Sequence, residues 1–243
     1  MTDFPRAPLI SALSIAIGIA LGGLLAGAGF ARGRAADRYV TVKGVAEREV
    51  QADLALWPLR VSAADSDLLA AQATVSRSFV KIRAFLARNG IDTTHAEVQA
   101  VNVTDNYTQS YRAERALVRY VVTQTLMVRS TEPNVVLKAS QRVGELVSAG
   151  VVLSSEMYGG GGPTFLFTKL NDIKPAMIAQ ATANAREAAE QFAKDSRTSL
   201  RGIRRANQGV FMILPRDPSP GIAEESQVNK IVRVVSTVEY FLK

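Results

Sequence analysis

Apolar residues are distributed along this chain in three patterns, and each predicts a different element. The first is unbroken. Leu9 to Phe30 holds twenty-two residues with no charge and no proline, and only Ser11 and Ser14 are polar. As a helix this run reaches about 33 Å, enough to cross a hydrocarbon core of roughly 30 Å. The competing reading, a helix buried in a soluble domain, is set aside because such helices are seldom apolar on every face for so long. Ala26-Gly27-Ala28 has the small-x-small form of a signal-peptidase site, yet the apolar run exceeds the usual 7–15 residues of a cleaved leader. A retained signal-anchor is therefore expected, in contact with the lipid bilayer through residues 9–30. Gly18 with Gly22, and Gly23 with Gly27, form two GxxxG pairs that permit close approach of a second helix.

The second pattern is β-branched and alternating. It predicts strands from Tyr39 to Val50, Leu54 to Ser62, Glu97 to Tyr107, Ala116 to Val128, Val151 to Met157, Thr164 to Thr168, Leu200 to Leu214 and Val228 to Leu242. The first two form a hairpin or two consecutive strands, and Pro58 places its position at a sheet edge or bulge. Thr108 to Arg115 reads as a hairpin tip. The third pattern has the helical period. Leu68, Val75, Phe79, Ile82 and Leu86 share one face of a helix capped by Ser66 and closed at Asn89-Gly90. A second helix is expected from a Thr131 cap, with Pro133 in its first turn, to Ala149-Gly150. A third, alanine-rich, runs from Asn171 or Asp172 to about Ser196, with Met177 and Phe192 as its larger contacts. Pro215 to Gln227 carries three prolines and a glycine and reads as an exposed or mobile loop.

This divides the chain into an anchor and linker, residues 1–38, and a domain over 39–243, long enough for a real core. Hydrophobic residues make up 47% and charged residues 21% of the whole, which excludes a disordered or fibrous class. Cysteine is absent, so disulfides, thiolate catalysis and cysteine-based zinc sites are excluded. The formal charge is +7. Arg197, Arg201, Arg204 and Arg205 concentrate part of it, and with an apolar run in front the expected contact is a lipid surface or protein partner rather than nucleic acid.

Candidate chemistry is thin. His95 is the one histidine, and any triad or zinc reading has to use it; it falls in a polar turn where an exposed histidine needs no explanation. Asp53, Asp172 and Asp195 stand at predicted element boundaries, as turn or cap residues do. Gly159-Gly160-Gly161-Gly162 lacks the Lys-Ser/Thr and following helix of a phosphate loop and reads as a flexible turn. Trp57, the only tryptophan, is either a core residue or an anchor for a partner. No catalytic, metal or cofactor residues are assigned.

A distributed set of motifs carries a likeness. Val42-Lys43-Gly44 through Ala52-Asp53-Leu54-Ala55, Asn89-Gly90-Ile91, Leu170-Asn171-Asp172-Ile173-Lys174-Pro175 through Asn184-Ala185-Arg186, Phe192-Ala193-Lys194-Asp195-Ser196, Ala206-Asn207-Gln208-Gly209 and Val232 to Tyr240 resemble the SIMPL-domain family. The match looks closest to its bacterial, N-terminally anchored branch. The resemblance implies an α+β fold: an N-terminal transmembrane helix, then a SIMPL-like domain of antiparallel strands packed on about three helices. It also implies an envelope protein without a known reaction; one relative assembles into a channel-like homo-oligomer and others are linked to oxidative-stress tolerance. Two departures stand out: Arg197 and Arg201 occupy places where relatives usually carry glycine, and Ala52 replaces a common proline.

The expected function is thus a non-enzymatic, membrane-anchored envelope protein that self-associates as a ring, scaffold or channel-like assembly. The alternative is a monomeric periplasmic module that binds a ligand or protein. Arg32, Arg34 and Arg38 follow the span while Arg6 alone precedes it, which by charge would put the domain in the cytoplasm. The likeness favours the inner membrane with the domain in the periplasm.

Overall fold

The computed structural model describes residues 6–35, 38–94, 96–108, 118–154 and 162–243. The expected N-terminal helix is present as α1, Arg6–Ala35. Its described side chains are those of residues 14–29, sixteen of the twenty-two positions in the apolar run. Among the described residues no helix is long and apolar enough to cross a membrane.

The remaining elements follow in the order β1 (Tyr39–Gln51), β2 (Leu54–Asp65), α2 (Leu68–Arg88), β3 (Glu97–Val98), β4 (Asn102–Asp105), β5 (Tyr120–Ser130), α3 (Pro133–Gln141), α4 (Gly144–Ser148), β6 (Thr164–Leu166), α5 (Leu170–Asp195), β7 (Leu200–Gln208), β8 (Met212–Pro215) and β9 (Asn229–Leu242). They form two antiparallel sheets. One has the order β1-β9-β7, with β8 also on β9; the other has the order β3-β5-β2-β6, with β4 also on β5. β1 and β2 therefore belong to different sheets: they are consecutive strands and not a hairpin.

The chain divides into two compact units. The larger comprises residues 47–175 and 212–233. In it β2 alternates inward and outward along its length. Trp57, Leu59 and Val61 point into a core shared with Val75, Ile82, Phe85 and Leu86 of α2, Leu126 and Val128 of β5, and Phe165 of β6. The predicted helical stripe is buried from Val75 onward, but Leu68 at its start is exposed. The cap is Asp67 rather than Ser66: Asp67 Oδ1 accepts from the Leu69 N–H at 2.9 Å. Gly90, at φ +76°, closes the helix as the sequence predicts.

Pro58 lies in β2 opposite Met127 of β5, and no strand among the described residues pairs with its other side. β6 pairs only with residues 54–56, and the next contact on that side is the Val61–Leu153 bridge. Arg60 O and Ser62 N bond to residues 154 and 152, so Pro58, two residues before Arg60, faces the same way, into the gap. That is where a missing N–H costs least.

Two expected strands are interrupted. Glu97 to Tyr107 becomes β3 and β4, because Glu97 opposes Met127 while Asn102 opposes Thr123. The two registers differ by one residue, the signature of a bulge. Leu200 to Leu214 becomes β7 and β8, with a break at residues 209–211. The expected second helix is likewise two, α3 and α4. Gly144 weakens it there, and the Arg142 guanidinium fixes the turn by donating to Glu145 Oε1 at 2.8 Å and Asn89 Oδ1 at 2.9 Å. Glu132, not Thr131, holds the cap position of α3 and makes no side-chain cap bond. Val151 to Met157 shows only the bridge at Leu153; residues 155–157 are outside the described residues, as are most of the hairpin tip at 108–115 and Gly159 to Gly161.

The smaller unit comprises residues 1–46, 176–211 and 234–243. Its core joins Val40, Ala185, Ala189, Val238 and Tyr240. Met177, Ala181, Ala185, Ala189 and Ala193 are all buried on α5. Four-residue spacing stacks them on one face, and with only methyl groups on most of that face the helix approaches its neighbour closely. At Gly44 of β1 an added Cβ would overlap the Ala181 carbonyl oxygen and the Ala185 amide nitrogen, and stand 2.8 Å from the Ala185 Cβ. Phe192, expected as a contact, is instead half exposed at 50%.

Candidate functional surface

The end of α5 sets up the basic segment. Thr198 N–H donates to Ala193 O at 2.9 Å and Arg197 N–H to Lys194 O at 3.2 Å, the paired bonds of a Schellman close. That close needs a left-handed residue, and Arg197 supplies it at φ +54°, the only described non-glycine residue with positive φ. The glycine expected here from the family likeness is thus missing at the position whose backbone asks for it. Arg197→Gly is expected to gain up to about 1 kcal/mol, a rise of about 2–4 °C in thermal midpoint. Arg197→Ala, which removes the charge but keeps a Cβ, is expected to leave the midpoint unchanged.

The chain then enters β7. Among the described residues this strand pairs with β9 alone, and every residue of it after Leu200 is exposed. Arg201, Arg204 and Arg205 lie on it. Arg204 is held in place, with its guanidinium carbon 3.9 Å from the centre of the Tyr39 ring and its Nη1 3.5 Å from Glu239 Oε2. Arg201 and Arg205 stand exposed on the same strand, and Ile203 between them is 54% exposed. The sequence thus placed four arginines near one another, and the structure puts three on one sheet edge and the fourth at the turn before it. An edge of this kind offers a row of backbone donors and acceptors beside concentrated positive charge.

Trp57 is 1% exposed at the centre of the larger unit's core, so it is a core residue and no part of a contact surface. Gly18, Gly22, Gly23 and Gly27 are exposed on α1, and an added Cβ on any of them would meet nothing within 4 Å. At 100° per residue the Gly18/Gly22 and Gly23/Gly27 pairs point about 140° apart, on two faces of the helix. His95 lies outside the described residues.

Asp53 is a turn residue with a second task. Its Oδ1 accepts from the Thr168 N–H at 2.6 Å and its Oδ2 from the Thr168 hydroxyl at 2.7 Å. Partial burial pushes its carboxyl up, but the Thr168 bonds and the charge of Lys169 outweigh that and hold it below the ordinary aspartate value. Because the folded value is lowered, the tie is fully present above the unfolded aspartate's pKa and is lost as pH falls through the lowered value. Asp172 lies inside the first turn of α5, where a negative charge suits the helix dipole. Asp195 is the last residue of that helix and accepts from Gln191 Nε2 at 2.9 Å.

Two clefts in the larger unit were not visible in the sequence. One, about 700 Å³, is lined by Leu56 and Met127 with Asp92, Glu97, Glu132 and Arg129. Among the described residues no three His, Cys, Asp or Glu side chains come together to hold a metal ion. The other, about 290 Å³, is polar and includes Arg60. Their lining residues are scattered over β2, β3, β4, β5 and connecting loops, so only strand register brings them together.

The architecture is that of an α+β domain in which antiparallel sheets pack against helices. The chain belongs to the SIMPL family, described as a protein of unknown function (DUF541), whose model matches residues 40–237. Among curated proteins no sequence matches the chain.

Proposed function

We propose that this is a membrane-anchored envelope protein without enzymatic activity, whose SIMPL domain self-associates into a ring, scaffold or channel-like assembly. The observation that carries the reading is β7, nine residues long, unpaired along one edge among the described residues and exposed on both faces. A strand left so open is a template for pairing with another chain, and anchoring in a plane raises the local concentration of copies. Support for the anchor comes from the apolar run at residues 9–30, which lies wholly within α1. Open glycine pairs on two faces of that helix suit contact with more than one neighbour. The inner membrane, with the domain on the periplasmic side, is the location proposed. A second reading, a monomeric binding module, is favoured by the charge of the same strand, since Arg201 and Arg205 repel an identical strand laid against them.

The test is the mass of the full chain in mild detergent, beside a chain starting at Asp37 and a full chain carrying Ile203→Lys, which adds a further like charge to the open edge. A discrete multimer is expected in the first two and monomers in the third. Assembly only with residues 1–36 present would transfer the contact to the glycine pairs. Monomers throughout would overturn self-association and leave the binding module.

A further inference from the structure

The start of β7 belongs to a larger arrangement at one end of the four-stranded sheet. The Leu242 N–H donates to Arg38 O at 2.9 Å, while the Lys243 N–H donates to Ser199 O at 2.9 Å and the Ser199 N–H to Lys243 O at 3.2 Å. These bonds gather the approach to β1, the end of β9 and the start of β7, and α5 ends at Asp195, just before β7 begins. Arg38, Arg197, Arg201, Arg205 and Lys243 are exposed here, and Arg204 lies over the Tyr39 ring. All belong to the smaller unit. Asp195 and Glu239 stand among them, the latter 3.5 Å from Arg204, and Asp37 adjoins Arg38 in sequence. Apolar surface is mixed with the charge, since Tyr39, Ile203 and Phe192 in the last turn of α5 are all about half exposed.

This is also the end from which α1 departs. α1 finishes at Ala35 and β1 starts at Tyr39, four residue steps that reach at most about 14 Å when fully extended. From Phe30, the last residue of the apolar run, to Ala35 the helix adds about 7.5 Å. With that run across a bilayer, Tyr39 is held within roughly 22 Å of the hydrocarbon edge, and headgroups fill about the first 5–7 Å of that distance. Even at full stretch the strand ends stand only about two Debye lengths from the headgroups, and any slack brings them closer. We infer that this end of the sheet faces lipid: Arg38, Arg201 and Arg205 bind the phosphates of anionic phospholipids, Arg204 holds Tyr39 in position, and Tyr39 and Phe192 settle at the headgroup boundary. The inference rests on the anchor proposed above and adds to it a second, charge-selective contact with the membrane. Guanidinium forks match phosphate oxygens, basic residues beside a span are drawn to anionic lipid, and tyrosine suits the membrane–water interface. An acidic protein could meet the same charges, but the short tether keeps lipid beside them at all times.

The experiment uses the full chain in two settings. Reconstituted in phosphatidylcholine vesicles, its retention at alkaline pH reports the anchor. In mild detergent, phosphatidylglycerol and phosphatidylcholine are titrated separately, and bound lipid is read from the mass of the intact complex. Phosphatidylglycerol is expected to bind about tenfold more tightly, with a preference that shrinks as salt is raised. Arg201→Gln with Arg205→Gln is expected to bring the two lipids within threefold of each other. Arg77→Gln with Arg88→Gln, the same loss of charge on exposed positions of α2 in the larger unit, is expected to keep the preference. Equal binding of both lipids, a preference that survives the β7 pair, or one that falls equally with the α2 pair would overturn the lipid-facing surface. If the β7 pair fails to fold by its thermal transition, Arg38→Gln decides: a preference reduced about threefold supports the surface and an undiminished one overturns it. Release from vesicles at alkaline pH would overturn the anchor and this surface with it, whereas retention without a lipid preference would overturn the surface alone. The same masses count copies of the chain, so loss of assembly is scored separately.

Discussion

The Gly44→Ala variant is expected to lose about 3 kcal/mol or more of stability, a fall of roughly 6–12 °C in thermal midpoint for a domain of this size. The reason is the alanine ladder of α5. Ala181 and Ala185 present the helix backbone itself to β1, and the added methyl would occupy the place of the Ala181 carbonyl oxygen. A flexible side chain could swing aside, but a helix backbone can yield only by moving as a body, which would disturb the packing of Ala185 and Ala189 against Val40 and Val238. Thermal unfolding followed by circular dichroism measures the effect. Gly144→Ala is the control: it adds the same methyl to α4 where nothing lies within 4 Å, and helix propensity alone favours it. Equal midpoints for the two variants would refute the close-packing account.

Lys230→Ala is expected to cost about 3 kcal/mol, and Lys230→Met about half of that. Lys230 is fully buried, at 0% exposure, on the inward-facing side of β9. Its Nζ donates to the Glu224 carbonyl at 2.8 Å and pairs with the Glu224 carboxylate. Alanine removes the pair and leaves a cavity; methionine fills the cavity but leaves Glu224 without its cation. Because Glu224 keeps 25% side-chain exposure, its carboxylate can turn to water, which limits the methionine loss. Urea unfolding separates the two contributions. Limited proteolysis within residues 216–227 should accelerate in both variants, since the pair ties this loop to β9. Unchanged proteolysis would show that the tie does not hold the loop.

Much of the fold was legible because its periodicities are strong. β9 reads Ile231-Val232-Arg233-Val234-Val235 and alternates as a strand should, and the stripe from Val75 to Leu86 is buried as a helical face should be. What escaped was set by partners distant in sequence. A bulge divides the strand expected from Glu97, and only its register against β5 exposes it. The segment 215–227 looked mobile from its prolines, yet Gln227 Nε2 donates to Asp217 O at 2.7 Å and Lys230 reaches Glu224; nothing in local composition announces either contact. Composition did reveal the arginine cluster, because it is contiguous. The Arg60 cleft stayed hidden for the opposite reason, as its residues come from β2, β4 and β5. Ala52 shows how a departure from the family pattern becomes intelligible: its N–H donates to Val228 O at 2.8 Å, a bond proline could not make.

The place of β9 in its sheet has a consequence for the order in which the chain can mature. β9 is the strand between β1 and β7, so the first strand of the domain finds its hydrogen-bond partner only in residues 229–242, almost two hundred residues later. During synthesis at about 5–20 residues per second, β1 therefore waits many seconds with its partner not yet made, and the four-stranded sheet closes only once residue 242 is available. Until then β1 and β7 lack the strand that lies between them, and a ribosome stalled before β9 leaves the two with nothing to join them.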